Sequence, residues 1–126
     1  MTDQKKTRVL SAQPMKNRRS PCPIACTLDL LGDRWTLLVV RDLLLGRTQF
    51  KEFAASPEGI ATNILSDRLA RLVDAGIAEH ALDGSSRRGS YRLTRKGKSL
   101  GPLVEQIAAW GLKHVEGTEM RMKVKG

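Results

Sequence analysis

Apolar residues recur at three- and four-residue intervals along most of the chain, which is the spacing of amphipathic α-helices. The first predicted helix covers Pro23–Leu31 and ends at Gly32. The second, "RWTLLVVRDLLLG", follows Asp33, a residue that can cap it. Because this second segment is apolar nearly all round, it is predicted to lie at the centre of the fold. The apolar positions that the first helix is expected to bury are Ile24, Leu28 and Leu31.

A short third helix and a longer fourth helix follow, separated by a tight turn. Thr48 can cap the third helix, "QFKEFAAS", and Pro57 and Gly59 mark the turn "SPEG". The fourth helix is predicted over residues 61–75, with one apolar stripe and one polar face. The stripe contains Ile64, Leu65, Leu69, Leu72 and Val73, the opposite face contains Asn63, Ser66, Asp67, Ala70 and Asp74, and Arg68 and Arg71 lie on the flanks.

Alternation of apolar and polar residues replaces the helical spacing after the fourth helix. The segments "IAEHAL" and "SYRLT" are predicted to pair as a β-hairpin with Asp83–Gly89 as its turn. Thr94 can cap a last helix, "RKGKSLGPLVEQIAAWGLKHV", whose regular part is Leu103–Val115. The predicted order is therefore helix, helix, short helix, turn, helix, hairpin, helix.

This order predicts a winged helix-turn-helix in the mainly α (α+β) class. A short helix joined to a longer one by a tight glycine-containing turn is a helix-turn-helix, and the two-stranded hairpin directly after it forms the wing. The second helix of such a unit must be apolar behind and polar and small in front, because it enters a DNA groove about 12 Å wide. Residues 61–75 meet both demands, so double-stranded DNA is the predicted partner.

Individual side chains of the fourth helix suit different parts of a duplex. Asn63 and Ser66 can hydrogen-bond base edges, and Thr62, near the helix N-terminus, can meet a phosphate. Asp67 repels phosphate but can accept a hydrogen bond from cytosine N4, and the sequence leaves both alternatives open. Phosphate is the expected partner of the two flanking arginines, Arg68 and Arg71.

The predicted wing carries an arginine pair, Arg87 and Arg88, at its tip. Narrow minor grooves have an enhanced negative potential that attracts arginine. We therefore expect one of the pair to meet a phosphate and the other to face the minor groove or solvent. The sequence does not assign the two positions.

Positive charge is concentrated at one end of the chain. The net charge is +9, and residues 1–20 carry six basic groups and one acidic group, a net of +5. These residues are interpreted as a flexible arm; such an arm often binds nucleic acid, although a solvated tail, an acidic protein partner or an anionic membrane surface would also suit it. The expected organisation is an arm over 1–20, a winged-helix domain over 21–115 and a tail over 116–126.

Several classes of protein are disfavoured by the sequence. It has no apolar run long enough for a transmembrane helix, and its basic N-terminal residues are not followed by the apolar run of a secretory signal. Cys22 and Cys26 lie too close together to staple the fold, which agrees with a reducing, cytoplasmic compartment. No carboxylate pair, nucleophile–base pair, glycine-rich phosphate loop or metal cluster is recognisable, so no catalysis, metal or cofactor is expected.

Four segments come in an order that is specific to one family: "CPIACTLDLLGDRWTLLVVRDLLLG", "QFKEF", "GIATNILSDRLARLVDAGIAE" and "YRLTRKGKSLGPLVEQIAAWG". Over Cys22–Val115 the chain resembles the HxlR-type winged helix-turn-helix transcriptional regulators, which are relatives of the MarR group. The resemblance implies a homodimer that binds a pseudo-palindromic operator, with helical dimerisation elements at both ends of the domain. In the last helix the implied dimer interface includes Leu103, Ile107 and Trp110.

The resemblance also implies a role for Cys22. In many members of the family a cysteine at this place senses oxidants or electrophiles, and a thiol at a helix N-terminus has its thiolate favoured. The alternative is a small, partly buried hydrophobic residue. Two alternative functions follow for the chain: DNA binding that is conditional on a thiol or a small-molecule effector, and a winged helix that docks an acidic protein.

The sequence departs from the family pattern at two positions. Gln49 stands where the family often has arginine, and Ala61 stands where it often has serine. Loss of a serine N-cap costs a helix about 1 kcal/mol, unless Thr62 takes over the capping here. These departures bear on the operator sequence and not on the fold.

Overall fold

The computed structural model describes residues 19–82 and 88–120. Within these residues the mainly α winged helix-turn-helix predicted from the sequence is confirmed. One antiparallel hairpin lies between the fourth and fifth helices. The elements in chain order are α1 (Pro23–Leu31), α2 (Thr36–Leu44), α3 (Phe50–Ala54), α4 (Thr62–Asp74), β1 (Ala78–Ala81), β2 (Ser90–Leu93), α5 (Arg95–Lys98) and α6 (Gly101–His114).

The core forms where α2, α3, α4 and the base of the hairpin meet. The apolar stripe of α4 supplies Leu65, Leu69 and Leu72, which pack with Val40 of α2 and Phe53 of α3 in one buried cluster. Full burial of a leucine or phenylalanine side chain is worth about 1.5–3 kcal/mol relative to leaving it exposed. The central position predicted for α2 is thus confirmed, and α4 is anchored firmly along its rear face.

The predicted burial of α1 is wrong for two of its three apolar positions. Leu31 is buried, but Ile24 and Leu28 are 70% and 54% exposed. They face a groove whose other walls include Leu37 of α2 and Leu103 of α6. Helical spacing reveals that a helix has an apolar face, but it does not reveal whether the same chain covers that face.

Two helix starts differ from the prediction because of capping side chains. The carboxylate of Asp33 accepts hydrogen bonds from the N–H groups of Trp35 (3.0 Å) and Thr36 (3.2 Å) and so stabilises the start of α2. The helix itself begins at Thr36, and its N-cap residue is Trp35 rather than Asp33. Thr48 is not the cap of α3. Gln49 is the N-cap residue instead, and Glu52 accepts from the backbone N–H groups of both Thr48 and Gln49 at 2.9 Å.

The predicted last helix is divided into two. The hydroxyl of Thr94 accepts from the N–H of Gly97 (3.1 Å) and caps α5, which ends at Lys98 before α6 begins with Gly101 and Pro102. Gly97 is buried so closely against the carbonyl of Ile77 that a Cβ atom there would overlap it. The chain therefore packs α5 against the hairpin, and proline in the first turn starts a separate helix.

The hairpin has a single register, in which Ala78 pairs with Leu93 and Ala81 pairs with Ser90. Only the end near α4 is buried, so the predicted alternation of buried and exposed residues does not continue along β1. At the other end Gly89 has φ +71° and leaves no space for a Cβ atom beside the carbonyl of Ala81, so the position requires glycine. The N–H of Tyr91 donates to the carbonyl of Thr48 (2.8 Å) and joins the hairpin to the start of α3.

A buried carboxylate holds the helix-turn-helix to α2. Asp42 is 2% exposed, and its Oδ1 accepts from Arg41 and from Arg47 at 3.0 Å, while its Oδ2 accepts from the hydroxyl of Ser56. Arg41 also forms a two-armed ion pair with Glu58, at 2.7 and 2.8 Å. Asp42 thereby connects α2, the loop before α3 and the turn after it.

We expect Asp42→Asn to lower the free energy of unfolding by about 2–4 kcal/mol, because it removes the buried charge that Arg41, Arg47 and Ser56 share. Glu58→Gln removes a more exposed partner of the same Arg41 and should cost less than about 1 kcal/mol. Urea unfolding at one fixed protein concentration measures both. Equal losses for the two variants would show that the buried position of Asp42 has no special weight.

Candidate nucleic-acid interface

The face of α4 opposite its buried stripe is exposed. Every residue predicted to read DNA from the polar front of the helix lies on this surface, and Gly59, with φ +71°, lies in the turn that leads into it. No side-chain hydrogen bond caps the N-terminus of α4 at Ala61, and Thr62 does not supply one. The exposed residues of α4 are Thr62, Asn63, Ser66, Asp67, Ala70, Arg71 and Asp74.

Arg68 is not on the exposed front. Its side chain is 19% exposed and spans two carboxylates: Nε donates to Asp33 Oδ2 at 2.8 Å, and Nη1 donates to Asp67 Oδ2 at 2.5 Å. Arg71, one turn from Asp67, is more exposed and lies 3.7 Å from the same carboxylate. The phosphate role predicted for the two flanking arginines thus fits Arg71 better than Arg68. The negative charge of Asp67, which would repel phosphate, therefore lies between two arginines, Arg68 and Arg71.

Asp33 holds its charge strongly. Partial burial acts to raise the pKa of its carboxyl, but hydrogen bonds from Thr36 and Arg68 outweigh that effect and lower the pKa to about 2. The hydrogen bond to Asp33 in turn raises the pKa of Arg68 above its ordinary value. The pair is therefore ionised at any physiological pH and joins the α1–α2 connection to the middle of α4.

The C-terminal end of α4 is fixed by two residues that the sequence did not single out for this role. Lys96 Nζ donates to the carbonyl of Ala75 (2.9 Å), and burial lowers the pKa of Lys96. The hydroxyl of Thr94 donates to the carbonyl of Gly76 (2.6 Å). A cation near the end of a helix interacts favourably with its last carbonyls. The signal was present in "LTRKG", where a threonine and a lysine follow the strand, but only the fold brings them to α4.

Arg88 packs against the third helix. Its guanidinium lies 3.9 Å from the centre of the Phe50 ring, a cation–π contact. The ring of His80 stacks on Tyr91 at 4.1 Å, and His80 Nε2 lies 2.5 Å from the carbonyl of Arg88. The turn end of the hairpin is therefore attached to α3. Residues 83–87, including Arg87, lie outside the described residues, so the predicted division of roles between the two arginines stays a prediction.

An apolar surface runs along α1 and α6. Leu103 and Ile107, two of the residues assigned to a dimer interface from the sequence, line the groove beside Ile24 and Leu28. The third, Trp110, is 64% exposed and lies against His114, with ring centres 4.8 Å apart. We call these five apolar residues the α1/α6 surface.

Both cysteines are thiols in this structure. Cys22 is exposed at the N-cap of α1, whereas Cys26 is partly buried and its Sγ donates to the carbonyl of Ser20 (3.3 Å). The sensing role predicted for Cys22 stays a prediction. Across residues 19–82 and 88–120, no cluster of metal-binding side chains is present and no helix is long and apolar enough to cross a membrane.

Comparison with known proteins places the chain in a family. The model of the HxlR-like helix-turn-helix family matches residues 30–119, so the chain belongs to that family of transcriptional regulators. Over 102 residues it is 31% identical to YvaP, an uncharacterised HTH-type transcriptional regulator of Bacillus subtilis (strain 168), with 79% of this chain and 94% of YvaP covered.

Solved structures give the same result. PA1607, a protein described as a candidate transcription factor, superposes with a TM-score of 0.74 at 38% identity, covering 85% of this chain and 77% of that one. The reduced form of the redox regulator HypR superposes with a TM-score of 0.69 at 27% identity, covering 75% of this chain and 95% of HypR. The class inferred from the sequence, an HxlR-type regulator with a helix-turn-helix DNA-binding domain, is confirmed.

We expect the charge of Asp33 to make stability depend on pH at the acid end. Because its folded-state pKa of about 2 lies below the ordinary 3.8, its contribution is complete above about pH 5 and is lost as the pH falls through 2. The loss should be about 1–2 kcal/mol once solvent screening is allowed for. Urea unfolding of the parent and of Asp33→Asn across this range measures it. A difference between the two proteins that does not shrink toward low pH would contradict this expectation.

Proposed function

We propose that the protein is a homodimer that binds a pseudo-palindromic operator in double-stranded DNA, with α4 in the major groove and the wing on the backbone and minor groove. The observation that carries the proposal is the two-sided character of α4. Its rear is buried against α2 and α3, and its front presents small polar side chains of a size that fits a major groove.

Base reading is assigned to the N-terminal half of the exposed face of α4. Asn63 can form a two-armed hydrogen bond with adenine, and Ser66 is permissive in its choice of base. At the start of the helix, Thr62 and the uncapped N–H groups of the first turn suit a phosphate, because helix N-termini attract anions. Contacts to phosphate fix the position of the protein, and contacts to base edges give the sequence preference.

Phosphate binding is assigned to Arg71 and to the wing. The guanidinium of Arg71 is 45% exposed and lies at the edge of the reading face. Arg88 stacks on Phe50, beside the helix that precedes α4, and so brings positive charge close to the groove-binding unit. If Arg88 meets a phosphate, Arg87 is the member of the pair left to face the minor groove or solvent. The basic residues 1–20 would add affinity that does not depend on sequence.

Dimerisation is assigned to the α1/α6 surface. Its apolar side chains are exposed in the single chain, and contiguous exposed apolar surface marks interaction sites. A second copy is the partner that a two-fold symmetric operator requires, because operator half-sites mirror the symmetry of the protein. Redox control through Cys22 is the alternative mode of regulation; the exposed thiol beside this surface and the likeness to HypR support it.

The DNA contacts are tested by fluorescence anisotropy with the duplex upstream of the protein's own gene, in a salt series. We expect affinity to fall steeply with salt, and Arg71→Ala to reduce the slope of log affinity against log salt by about one. Asn63→Ala should weaken binding to this duplex by about 1–3 kcal/mol and leave binding to unrelated DNA unchanged. Lys113→Ala, a matched loss of one exposed positive charge, is the control. Affinity that does not change with salt would refute the phosphate contacts.

The dimer is tested by sedimentation. Ile107→Asp places a charge in the centre of the α1/α6 surface, and we expect it to produce a monomer of unchanged helix content with much weaker operator binding. Leu82→Asp makes the same type of change at an exposed residue of the hairpin and should leave the dimer intact. If both variants sediment as the parent does, this surface is not the interface.

A further inference from the structure

A chain of ion pairs crosses from the α1–α2 connection to the reading face of α4. Arg68 is its centre, with Asp33 on one side at 2.8 Å and Asp67 on the other at 2.5 Å. A guanidinium has five N–H donors in a rigid planar arrangement, so two such contacts at once fix its orientation. Two of these donors are thus engaged within the chain, and the Arg68 side chain is only 19% exposed, so it is poorly placed to meet a phosphate.

The Asp33 end of this chain is anchored. Its carboxylate accepts from two backbone N–H groups at the start of α2 and from the hydroxyl of Thr36. Rotation of Asp33 away from Arg68 would therefore leave the start of α2 without these hydrogen bonds. Asp33 thus lies in the α1–α2 connection, whereas the arginine that it holds lies on α4.

The Asp67 end lies on the front of α4. Its side chain is 55% exposed and shares the exposed face with Asn63 and Ser66. Arg68 and Arg71 flank the carboxylate, so their positive charge offsets its repulsion from phosphate. An ionised carboxylate has about four acceptor positions, so it retains acceptor capacity beyond the contact with Arg68. A fixed acceptor in a major groove matches the amino group of cytosine.

We propose that Arg68 is a positioning residue that holds Asp67 as a reader of cytosine, rather than a contact to phosphate. The inference rests on the proposed placement of α4 in the major groove. The sequence left open whether Asp67 repels phosphate or accepts a hydrogen bond from cytosine N4. The proposal favours the second alternative, because Arg68 and Arg71 reduce the repulsion from phosphate and leave the carboxylate oxygens able to accept. It also gives the Asp33 carboxylate a function in recognition beyond the start of α2.

The test is selection from a library of random DNA duplexes, followed by sequencing, for the parent protein and five variants. We expect the parent to enrich a motif with a cytosine that Asp67→Ala no longer selects. Arg68→Met should weaken the preference for that cytosine by about 5- to 100-fold, the range of a lost base contact. Asp33→Asn should weaken the same preference although it alters no residue of α4.

The salt dependence separates positioning from phosphate contact. On the selected duplex, Arg68→Met should keep the parent's slope, whereas Arg71→Met, the matched control on the same helix, should lower the slope by about one and leave the cytosine preference unchanged. Arg68→Lys keeps the charge but not the planar two-armed geometry. It should therefore lose the preference like Arg68→Met, and it provides a milder variant if Arg68→Met does not fold.

Two failures are distinguishable. If the parent enriches no motif, the proposed function itself is wrong. If the parent enriches a motif but Asp67→Ala selects it unchanged, or if Arg68→Met lowers the salt slope by about one with its base preference intact, DNA binding stands and the positioning role is overturned.

Discussion

The hydrogen bonds and ion pairs of the buried Asp42 carboxylate are the interactions on which the helix-turn-helix of α3 and α4 depends. The third helix has only five residues, which is too short to be stable by itself, so its position must come from contacts outside it. Asp42 supplies them by joining Arg47 before α3 to Ser56 after it, both from a fixed point on the most buried helix of the fold. A buried ion pair is weak evidence for net stability. Its value here is geometric, since it ties the residues on both sides of α3 to α2.

Carboxylates of this kind also decide which arginines can meet DNA. A net charge of +9 suggests abundant positive surface, yet Arg41, Arg47 and Arg68 are each directed at acidic side chains of the chain itself. Phosphate contacts carry affinity but no sequence information. In the proposed complex, engaging Arg68 internally gives up one unit of general attraction and gains a fixed geometry on the exposed face of α4.

Element order, the two faces of α4 and the stabilisation of the start of α2 by Asp33 could be predicted from the sequence, because each follows from local spacing and local hydrogen bonding. The pairing of Arg68 with Asp33, 35 residues away, could not, since the position of Arg68 on the helix flank is the same whether its partner is a phosphate or a carboxylate. The break between α5 and α6 depends on the fit of Gly97 against Ile77, which only the folded chain creates. The exposure of Ile24 and Leu28 shows the same limit, because an apolar stripe predicts burial without naming what buries it.

The α1–α2 connection is where these separate features meet. The α1 helix follows its N-cap residue Cys22, an exposed thiol. It carries Ile24 and Leu28 of the α1/α6 surface and ends at Leu31, two residues before Asp33. Asp33 in turn contacts Arg68 in the middle of α4. In the proposed homodimer, a partner seated on α1 would be separated from the Asp33 anchor of Arg68 by only a short, covalently continuous segment. A link between the α1/α6 surface and α4 would then need only a displacement of the end of α1, because interfaces and packed cores turn small shifts into discrete rearrangements.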